Sequence, residues 1–339
     1  MRQLLLLVTL IASISSVFAG DHSVLQPHNV STFSIVARDP ATGQMGIAVA
    51  SRYFSVGSVV PWAMAGVGAV ATQADVNCGY GPKAIDLLRK GLTAQEVADR
   101  MLAEDTFPGK DGRQFAIVDA KGNVVTYTAP HAPNWAGGKK GETWAAQGNI
   151  LVGPQVPEAM GKAFDATHGE LAEKLFAALK AGDAVGGDKR GRQSASMLIV
   201  CDKCGRNTNN DRYLYINVDD NPNPFHELRR LLDQALAYNY GDHAFKKLEA
   251  KDLAGAKADA EVAVKYTPNS ADSHMSLGFL NYIAGDQAGS LAEFEKAKKL
   301  GTNFRKQWES EASFFKELSP ITEDKAFMGK LFAAPKKAK

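Results

Sequence analysis

The sequence predicts an α+β fold: a four-layer αββα sandwich followed by an all-α helical repeat domain. Three observations lead to this prediction. Strands come in groups separated by pairs of helices, which is not the alternating pattern of a parallel doubly wound sheet. Several strands consist almost entirely of small or apolar residues, as expected when both faces are covered. The last third of the chain repeats with a 34-residue period, which is typical of paired helices.

The first element is a hairpin. Residues 32–38 (TFSIVAR) are rich in β-branched and apolar types, and residues 45–50 (MGIAVA) are nearly all apolar. Between them, Asp39-Pro40-Ala41-Thr42-Gly43 has the composition of a turn, because proline fixes one φ and glycine tolerates a positive one. Thr32 opens this buried hairpin and is a candidate nucleophile, although a threonine in a strand is more often only structural.

The rest of this region alternates between groups of strands and pairs of helices. Thr93 and Glu96 form a predicted capping box at the start of the second helix. Further strands are predicted at 66–73, 114–119, 124–128, 144–150, 194–200 and 212–218, and helices at 83–90, 93–103, 157–166, 170–181 and 224–238. This order indicates two mostly antiparallel sheets stacked between helical layers.

The C-terminal third contains a repeat. Residues 251–256 (KDLAGA) recur as residues 285–290 (GDQAGS), and the 34-residue period matches that of tetratricopeptide repeats. Helices are predicted at 240–250, 253–266, 271–284 and 287–300, and a plain helical bundle is the alternative. The predicted organisation is a signal peptide (1–19), a leader (20–31), the αββα domain (31–238), the helical repeats (239–318) and a tail (319–339).

Composition and the N-terminus predict where the protein acts. The chain has 339 residues and a formal charge of only +2, which argues against a nucleic-acid surface. Residues 4–14 form an apolar stretch of signal-peptide length, and residues 15–19 (SSVFA) end in a small residue suited to cleavage. We therefore expect an exported protein, periplasmic or secreted, with no membrane span in its mature form. A retained signal-anchor is the alternative.

The cysteines allow several interpretations. Cys201 and Cys204 form a C-x-x-C pair, for which a small structural disulfide is the favoured interpretation in an exported protein. Half of a zinc site and a redox motif are weaker alternatives. We expect Cys78 to be buried as a small hydrophobic residue. The histidines are scattered without metal spacing, so no metal or other cofactor is predicted.

Five segments together resemble the DUF1028 family, a family of unknown function: 32–52, 60–82, 147–156, 186–200 and 218–232. The resemblance spans about residues 31–235. It implies the four-layer αββα fold of N-terminal-nucleophile hydrolases, whose nucleophile opens the first strand. Thr32 occupies that position here. In such enzymes the free α-amine of the nucleophile acts as the general base. Twelve leader residues would precede Thr32 after signal cleavage, so a second cut at Ser31–Thr32 is required.

The resemblance and the residue types together predict the site. The catalytic set is Thr32, Ser51 and Arg52 at the ends of the first two strands, with Asn149 as a candidate oxyanion donor. A threonine-type triad is incomplete, because Ala50 stands where a carboxylate is expected and no lysine is found in the third-strand region. The Gly-rich loop would supply substrate-binding residues that could hold a carboxylate: Asp188, Arg190, Arg192 and Gln193.

Two of these residues also have structural interpretations: Arg52 could instead form an ion pair with Asp39 or Asp188, and Gly187-Asp188 could be only a turn.

Two functional hypotheses follow from these residues. The first is an exported amidohydrolase that acts on a small amide or peptide-like substrate through Thr32. The second is a non-catalytic scaffold of the same fold, whose helical repeats bind a partner protein or a cell-wall component.

Overall fold

The structure, a computed structural model, describes residues 29–30, 32–206, 209–301, 303–314 and 318–333. The predicted signal peptide, most of the predicted leader and the last residues of the predicted tail lie outside the described residues. The described chain consists of an α+β N-terminal region with two antiparallel sheets, followed by a mostly helical C-terminal region.

Eleven strands in the described ranges form the two sheets. Their bounds are β1 (Asn29–Val30), β2 (Thr32–Arg38), β3 (Met45–Ser51), β4 (Pro61–Met64), β5 (Gly68–Asp75), β6 (Arg113–Asp119), β7 (Val124–Thr128), β8 (Gly137–Lys140), β9 (Trp144–Gly148), β10 (Ser194–Val200) and β11 (Arg212–Val218). Sheet I has the order β1-β5-β6-β7, and β4 also pairs with β5. Sheet II has the order β11-β10-β3-β2-β9-β8.

The first four helices and the start of the fifth pack on the sheets, and the remaining helices form the C-terminal region. Their bounds are α1 (Tyr80–Arg89), α2 (Ala94–Ala103), α3 (Gln155–Ala166), α4 (Leu171–Ala184), α5 (Pro224–Glu249), α6 (Leu253–Tyr266), α7 (Ala271–Ile283), α8 (Gln287–Leu300), α9 (Phe304–Phe314), α10 (Ser319–Glu323) and α11 (Lys325–Leu331). Helices α1 and α2 contact sheet I, whereas α3, α4 and the first part of α5 contact sheet II.

Apolar side chains explain why the two sheets face each other. Val36, Ile47 and Val49 of sheet II join Ala116 and Val118 of sheet I in one buried cluster. Because successive strand residues point to opposite faces, the intervening residues of β2 and β3 pack against the helices instead. Strands β2 and β3 are thus covered on both sides, which accounts for their almost uniformly apolar sequences.

Helix α4 approaches sheet II closely at a glycine. A Cβ atom built on Gly46 of β3 would lie 2.8 Å from Cδ1 of Leu175. The absence of a side chain at this position therefore lets the helix pack directly on the strand backbone.

The predicted order of elements and the antiparallel pairing are confirmed. The capping box is also present, since the Thr93 side chain accepts from the backbone of Glu96 and the Glu96 side chain accepts from that of Thr93. Three short strands, β1, β4 and β8, were not predicted. They are only two to four residues long, too short to show a period.

The prediction of separate helices at 224–238 and 240–250 is wrong. Residues 224–249 form the single helix α5, which contacts β11 in the sheet region and α6 in the helical region. Gly241 lies within this helix, and glycine costs about 1 kcal/mol in a helix interior. Packing of Leu236 and Ala244 on either side of it offsets that cost. The domain boundary predicted at residue 238 falls within this helix.

The 34-residue recurrence is visible in the local structure. Asp252 caps α6 by accepting from the backbone N–H of Gly255 at 2.9 Å, and Asp286 caps α8 by accepting from that of Gly289 at 2.8 Å. Helices α6 to α11 enclose their own core around Phe294. In the described part of the chain, no helix is long and apolar enough to cross a membrane.

Candidate active site

Three neighbouring strands of sheet II place hydroxyl side chains side by side at one end of the sheet. The register pairs Thr32 with Ser51, and Ser51 with Ser194. The Thr32 hydroxyl donates to Oγ of Ser51 at 3.2 Å. All three side chains are buried. By the alternation of side chains along a strand, these three residues point to the same face of sheet II as Ser34. The Ser34 hydroxyl donates to Gln73 of sheet I at 2.6 Å, so this row of hydroxyl side chains faces the space between the sheets.

The backbone of Thr32 is held from both sheets. Its carbonyl accepts from the backbone N–H of Asn149 at 3.0 Å and from Nε2 of Gln73 at 3.3 Å. On its N-terminal side the chain runs from β1, where Asn29 pairs with Asp75 and Val30 with Ala74 of sheet I. Residue 31, which joins the two strands, lies outside the described residues. The start of β2 is therefore the point at which the chain passes from one sheet to the other.

A network of buried amides fixes this end of the two sheets. Gln114 of β6 is its centre: its Oε1 accepts from Nε2 of Gln73 at 2.8 Å and from Nδ2 of Asn149 at 3.0 Å. Its Nε2 donates to the carbonyls of Gly148 and Gly137 and to Oγ1 of Thr128, at 2.8, 3.3 and 2.9 Å. The Asn149 side chain thus belongs to a network that positions the Thr32 carbonyl.

A buried ion pair stabilises the end of β5, against which β1 lies. Arg113 pairs with Asp105 at 2.9 Å, and both side chains are 1 % exposed. Burial acts to raise the pKa of Asp105, but hydrogen bonds from Arg113 and Tyr80 outweigh it and hold the pKa below its usual value. Arg113 also donates to the carbonyl of Asp75. Burial raises the pKa of the Asp75 carboxyl itself, and the nearby Arg113 opposes this effect.

The Gly-rich loop (residues 186–193) is fastened to sheet II through Asp188. This carboxylate is 2 % exposed and accepts from the backbone N–H of Arg52 at 3.0 Å. It also accepts from the backbone N–H of Arg190 at 2.9 Å and from its guanidinium at 3.1 Å. The backbone N–H of Lys189 donates to the carbonyl of Ile150 at 3.0 Å. Asp188 therefore joins the loop to the end of β3, and the Lys189 backbone joins it to the chain after β9.

The other two residues predicted in this loop also have internal partners. Arg192 forms a bidentate ion pair with Asp183 at the end of α4, at 2.6 and 2.8 Å. Gln193 donates from Nε2 to Asp220 at 2.9 Å, and its backbone N–H donates to the carbonyl of Ser51 at 3.0 Å.

An open cleft of about 380 Å³ lies beside this loop at the end of sheet II. Its walls come from β2, β3, β10, the Gly-rich loop and the start of α5. The lining residues are Phe33, Ala50, Ser51, Asp183, Gly186, Asp188, Gly191, Arg192, Ser194, Pro222, Pro224 and Phe225. The rings of Phe33 and Phe225 are stacked, with centroids 6.3 Å apart and planes inclined by 16°. The cleft therefore combines an aromatic floor with a charged wall.

Arg52 lies at the edge of this cleft. Its guanidinium forms neither of the two ion pairs considered above, with Asp39 or with Asp188. Asp188 accepts from its backbone N–H, whereas its Nη1 donates to the carbonyl of Arg190 at 2.8 Å. The Asp39 carboxylate is engaged locally, accepting from the backbone of Ala41 and the hydroxyl of Thr42 in the hairpin turn. Arg52 is exposed to solvent.

The predicted residues thus form two groups: Thr32, Ser51 and Asn149 near the hydroxyl row, and Arg52, Asp188, Arg190, Arg192 and Gln193 around the loop. Four further residues of this region were not predicted from the sequence: Gln73, Gln114, Ser194 and Asp183. The first three had a visible signal, because each is a polar residue near the end of a strand that is mostly apolar or made of small residues. Asp183 had none, since its role depends on how α4 meets the loop.

The cysteines lie apart from this network. Cys201 and Cys204 form a disulfide after β10. The prediction that Cys78 is buried is wrong, because it is exposed. The Asn77 side chain accepts from the backbone of Gly79, and this turn points Cys78 outward. Among the described residues, no group of three His, Cys, Asp or Glu side chains is arranged to hold a metal ion.

Comparisons with known proteins point to one family. The family model described as "Family of unknown function (DUF1028)" matches residues 32–228. The chain is also similar to the crystal structure of protein SPO2555 from Silicibacter pomeroyi, which is described with the same family model. That match has 29% sequence identity and a TM-score of 0.55, and it covers 60% of this chain and 89% of the other. No curated protein matches the chain.

Proposed function

This chain belongs to the DUF1028 family, whose function is unknown, and we propose that it is an N-terminal-nucleophile amidohydrolase. The nucleophile is Thr32, and the substrate is a small amide or peptide-like compound. One observation carries the proposal: Thr32 opens a strand in the interior of sheet II, with its hydroxyl 3.2 Å from that of Ser51. The two sheets between helical layers agree with the αββα architecture of such hydrolases.

The proposed chemistry uses groups of Thr32 itself. The free α-amine takes the proton of the Thr32 hydroxyl while Oγ1 attacks the amide carbonyl. The tetrahedral intermediate collapses, the C–N bond breaks, and the proton passes to the departing amine. Water then hydrolyses the threonyl ester with the same amine as base, which releases the acid and restores the hydroxyl. The network around Gln73, Gln114 and Asn149 supports this mechanism by fixing the Thr32 carbonyl.

The proposal requires removal of the residues before Thr32. In the described chain Thr32 is buried and β1 is paired with β5. The α-nitrogen of Thr32 is in the peptide bond to Ser31 and cannot act as a base until that bond is cut. Breaking the Ser31–Thr32 bond would free the amine and release β1 from a short, two-residue pairing. Export, to the periplasm or outside the cell, belongs to the same proposal and is supported by the disulfide.

A β-lactone probe and intact-mass analysis test this function. The wild-type protein, purified from the compartment to which it is exported, should gain one acyl group, and digestion should locate it on Thr32. Thr32→Ser should retain labelling, because a hydroxyl and an α-amine remain after processing. Thr32→Ala should abolish it. Labelling of Thr32→Ala at the wild-type level would refute the assignment of the nucleophile.

A specific observation also favours the second candidate, a non-catalytic scaffold whose helical region binds a partner protein. A groove of about 370 Å³ lies between α5, α6 and α7. Two large side chains that line it, Tyr238 and Phe245, are 67% and 44% exposed. If the protein is only a scaffold, Thr32→Ala should leave both its cellular role and its N-terminus unchanged.

A further inference from the structure

The cleft beside Ser51 is lined by groups of two chemical kinds. Its floor is the stacked pair Phe33 and Phe225, which are 3% and 8% exposed. Its upper wall is the Gly-rich loop, where the Arg192 guanidinium lies 5.8 Å from the centre of the Phe225 ring. A ligand that fills this cleft would therefore place an apolar, ring-sized group on the floor and a polar group against the loop.

Two of the three arginines around the loop are paired with carboxylates. Arg190 is neutralised by Asp188, and Arg192 by Asp183, at 3.1 and 2.6 Å. Arg52 has no carboxylate within ion-pair distance among the residues that the structure describes. Its Nη1 donates to the Arg190 carbonyl, which holds one edge of the guanidinium and leaves other N–H groups directed away from that bond.

Arg52 is also close to the cleft wall. Its Nη1 lies 3.4 Å from the position that a Cβ atom on Gly191 would occupy, and Gly191 lines the cleft. Helix α5, 26 residues long, begins at Pro224, which also lines the cleft, and its N-cap residue Asn223 makes no side-chain capping bond. The first turn of this helix also carries Glu227, whose carboxylate is paired with Arg230 at 2.6 Å. The partial positive charge of the helix end therefore adds to that of Arg52. Both features favour a negatively charged group in the cleft.

We infer that the cleft binds substrates bearing a carboxylate and a ring-sized apolar group, and that Arg52 determines this specificity by pairing with the carboxylate. Arg190 and Arg192, which the sequence suggested for that role, are occupied by internal carboxylates. The Arg190 carbonyl instead orients Arg52. This inference rests on the proposed amidohydrolase function, because the cleft reaches Thr32 only through Ser51, which lines the cleft and accepts from the Thr32 hydroxyl at 3.2 Å. It names the class of amide: an N-acyl compound with an anionic end.

Binding of two matched compounds to the full-length Thr32→Ala protein tests the inference. N-benzoylglycine carries an aromatic ring and a carboxylate, whereas N-benzoylglycinamide differs only in being neutral. Isothermal titration calorimetry should give a dissociation constant about tenfold or more lower for the acid. Arg52→Gln, which keeps a donor for the Arg190 carbonyl, should abolish this preference. The matched control Arg100→Gln, on α2 beside sheet I, should preserve it.

The outcomes separate this inference from the proposed function. Equal binding of the two compounds, binding of neither, or a preference that survives Arg52→Gln would overturn the inference. Because the Thr32→Ala protein lacks the nucleophile, these results do not depend on hydrolysis. Labelling of Thr32 in the wild type without preference for the acid would leave the amidohydrolase proposal standing and remove the assigned substrate class.

Discussion

Replacing Gln114 with leucine should destabilise the protein through the hydrogen bonds that the buried amide network loses. Leucine is of similar size but can neither accept from Gln73 and Asn149 nor donate to the carbonyl of Gly148. All of these groups lie between the two sheets, where water cannot readily replace the lost partner. The change therefore leaves the side-chain N–H donors of Gln73 and Asn149, and the carbonyl of Gly148, without the hydrogen bonds that Gln114 provides.

The expected size follows from these groups. A buried polar group without a partner costs about 1–3 kcal/mol. Three such groups set an upper range near 9 kcal/mol, and the Gln73 amide keeps its bond to the Thr32 carbonyl, which reduces the loss. We therefore expect Gln114→Leu to lower the free energy of unfolding by about 3–5 kcal/mol.

Urea denaturation followed by far-UV circular dichroism measures this loss. Gln95→Leu is the matched control, because Gln95 is exposed on α2 and bonds only to Asp99 in its own helix. It should change the free energy of unfolding by no more than about 0.5 kcal/mol. A loss below about 1 kcal/mol for Gln114→Leu would show that the amide network does not hold the two sheets together.

Three further predictions follow. Asp105→Asn leaves the buried Arg113 charge without its partner and should cost about 3–5 kcal/mol at neutral pH. Because the pKa of Asp105 is lowered by folding, the stabilisation is present above about pH 4 and is lost as the pH falls through the folded-state pKa, so thermal melts of mutant and wild type should converge in acid. Asp252→Ala and Asp286→Ala remove equivalent helix caps and should each cost about 1 kcal/mol in urea denaturation, and a clear inequality would contradict their structural equivalence. Thiol titration of the native, unreduced protein should find one reactive group, Cys78, and finding none would contradict its exposure.

The fold could largely be predicted because its signals are local. Strands such as β7, β10 and β11 were predicted at their observed bounds, since each has apolar residues bounded by turn residues. The start of α2 was predicted from the capping box of Thr93 and Glu96. Continuity of α5 through Gly241 could not be predicted, because it depends on packing against two separate regions of the chain.

The candidate site was predicted only in part, because its contacts are distant in sequence. Thr32 and Ser51 were predicted from the family resemblance, which implies a nucleophile at the start of the first strand and supporting residues near the end of the second. Asp188 bonds to a backbone group 136 residues away, and no local pattern reveals that contact. The loop cations were predicted as ligands for a substrate carboxylate, yet Arg192 is paired with Asp183, a partner that only the packing of α4 brings near.

The N-terminal sequence of the mature protein tests the central claim most directly. The full chain should be expressed with its signal segment, purified from the compartment to which it is exported, and analysed by Edman degradation. The proposed mechanism predicts a sequence that begins Thr-Phe-Ser-Ile, which places the free amine on Thr32. A mature chain that begins at Gly20, with the leader still attached, would contradict the claim that Thr32 is an N-terminal nucleophile.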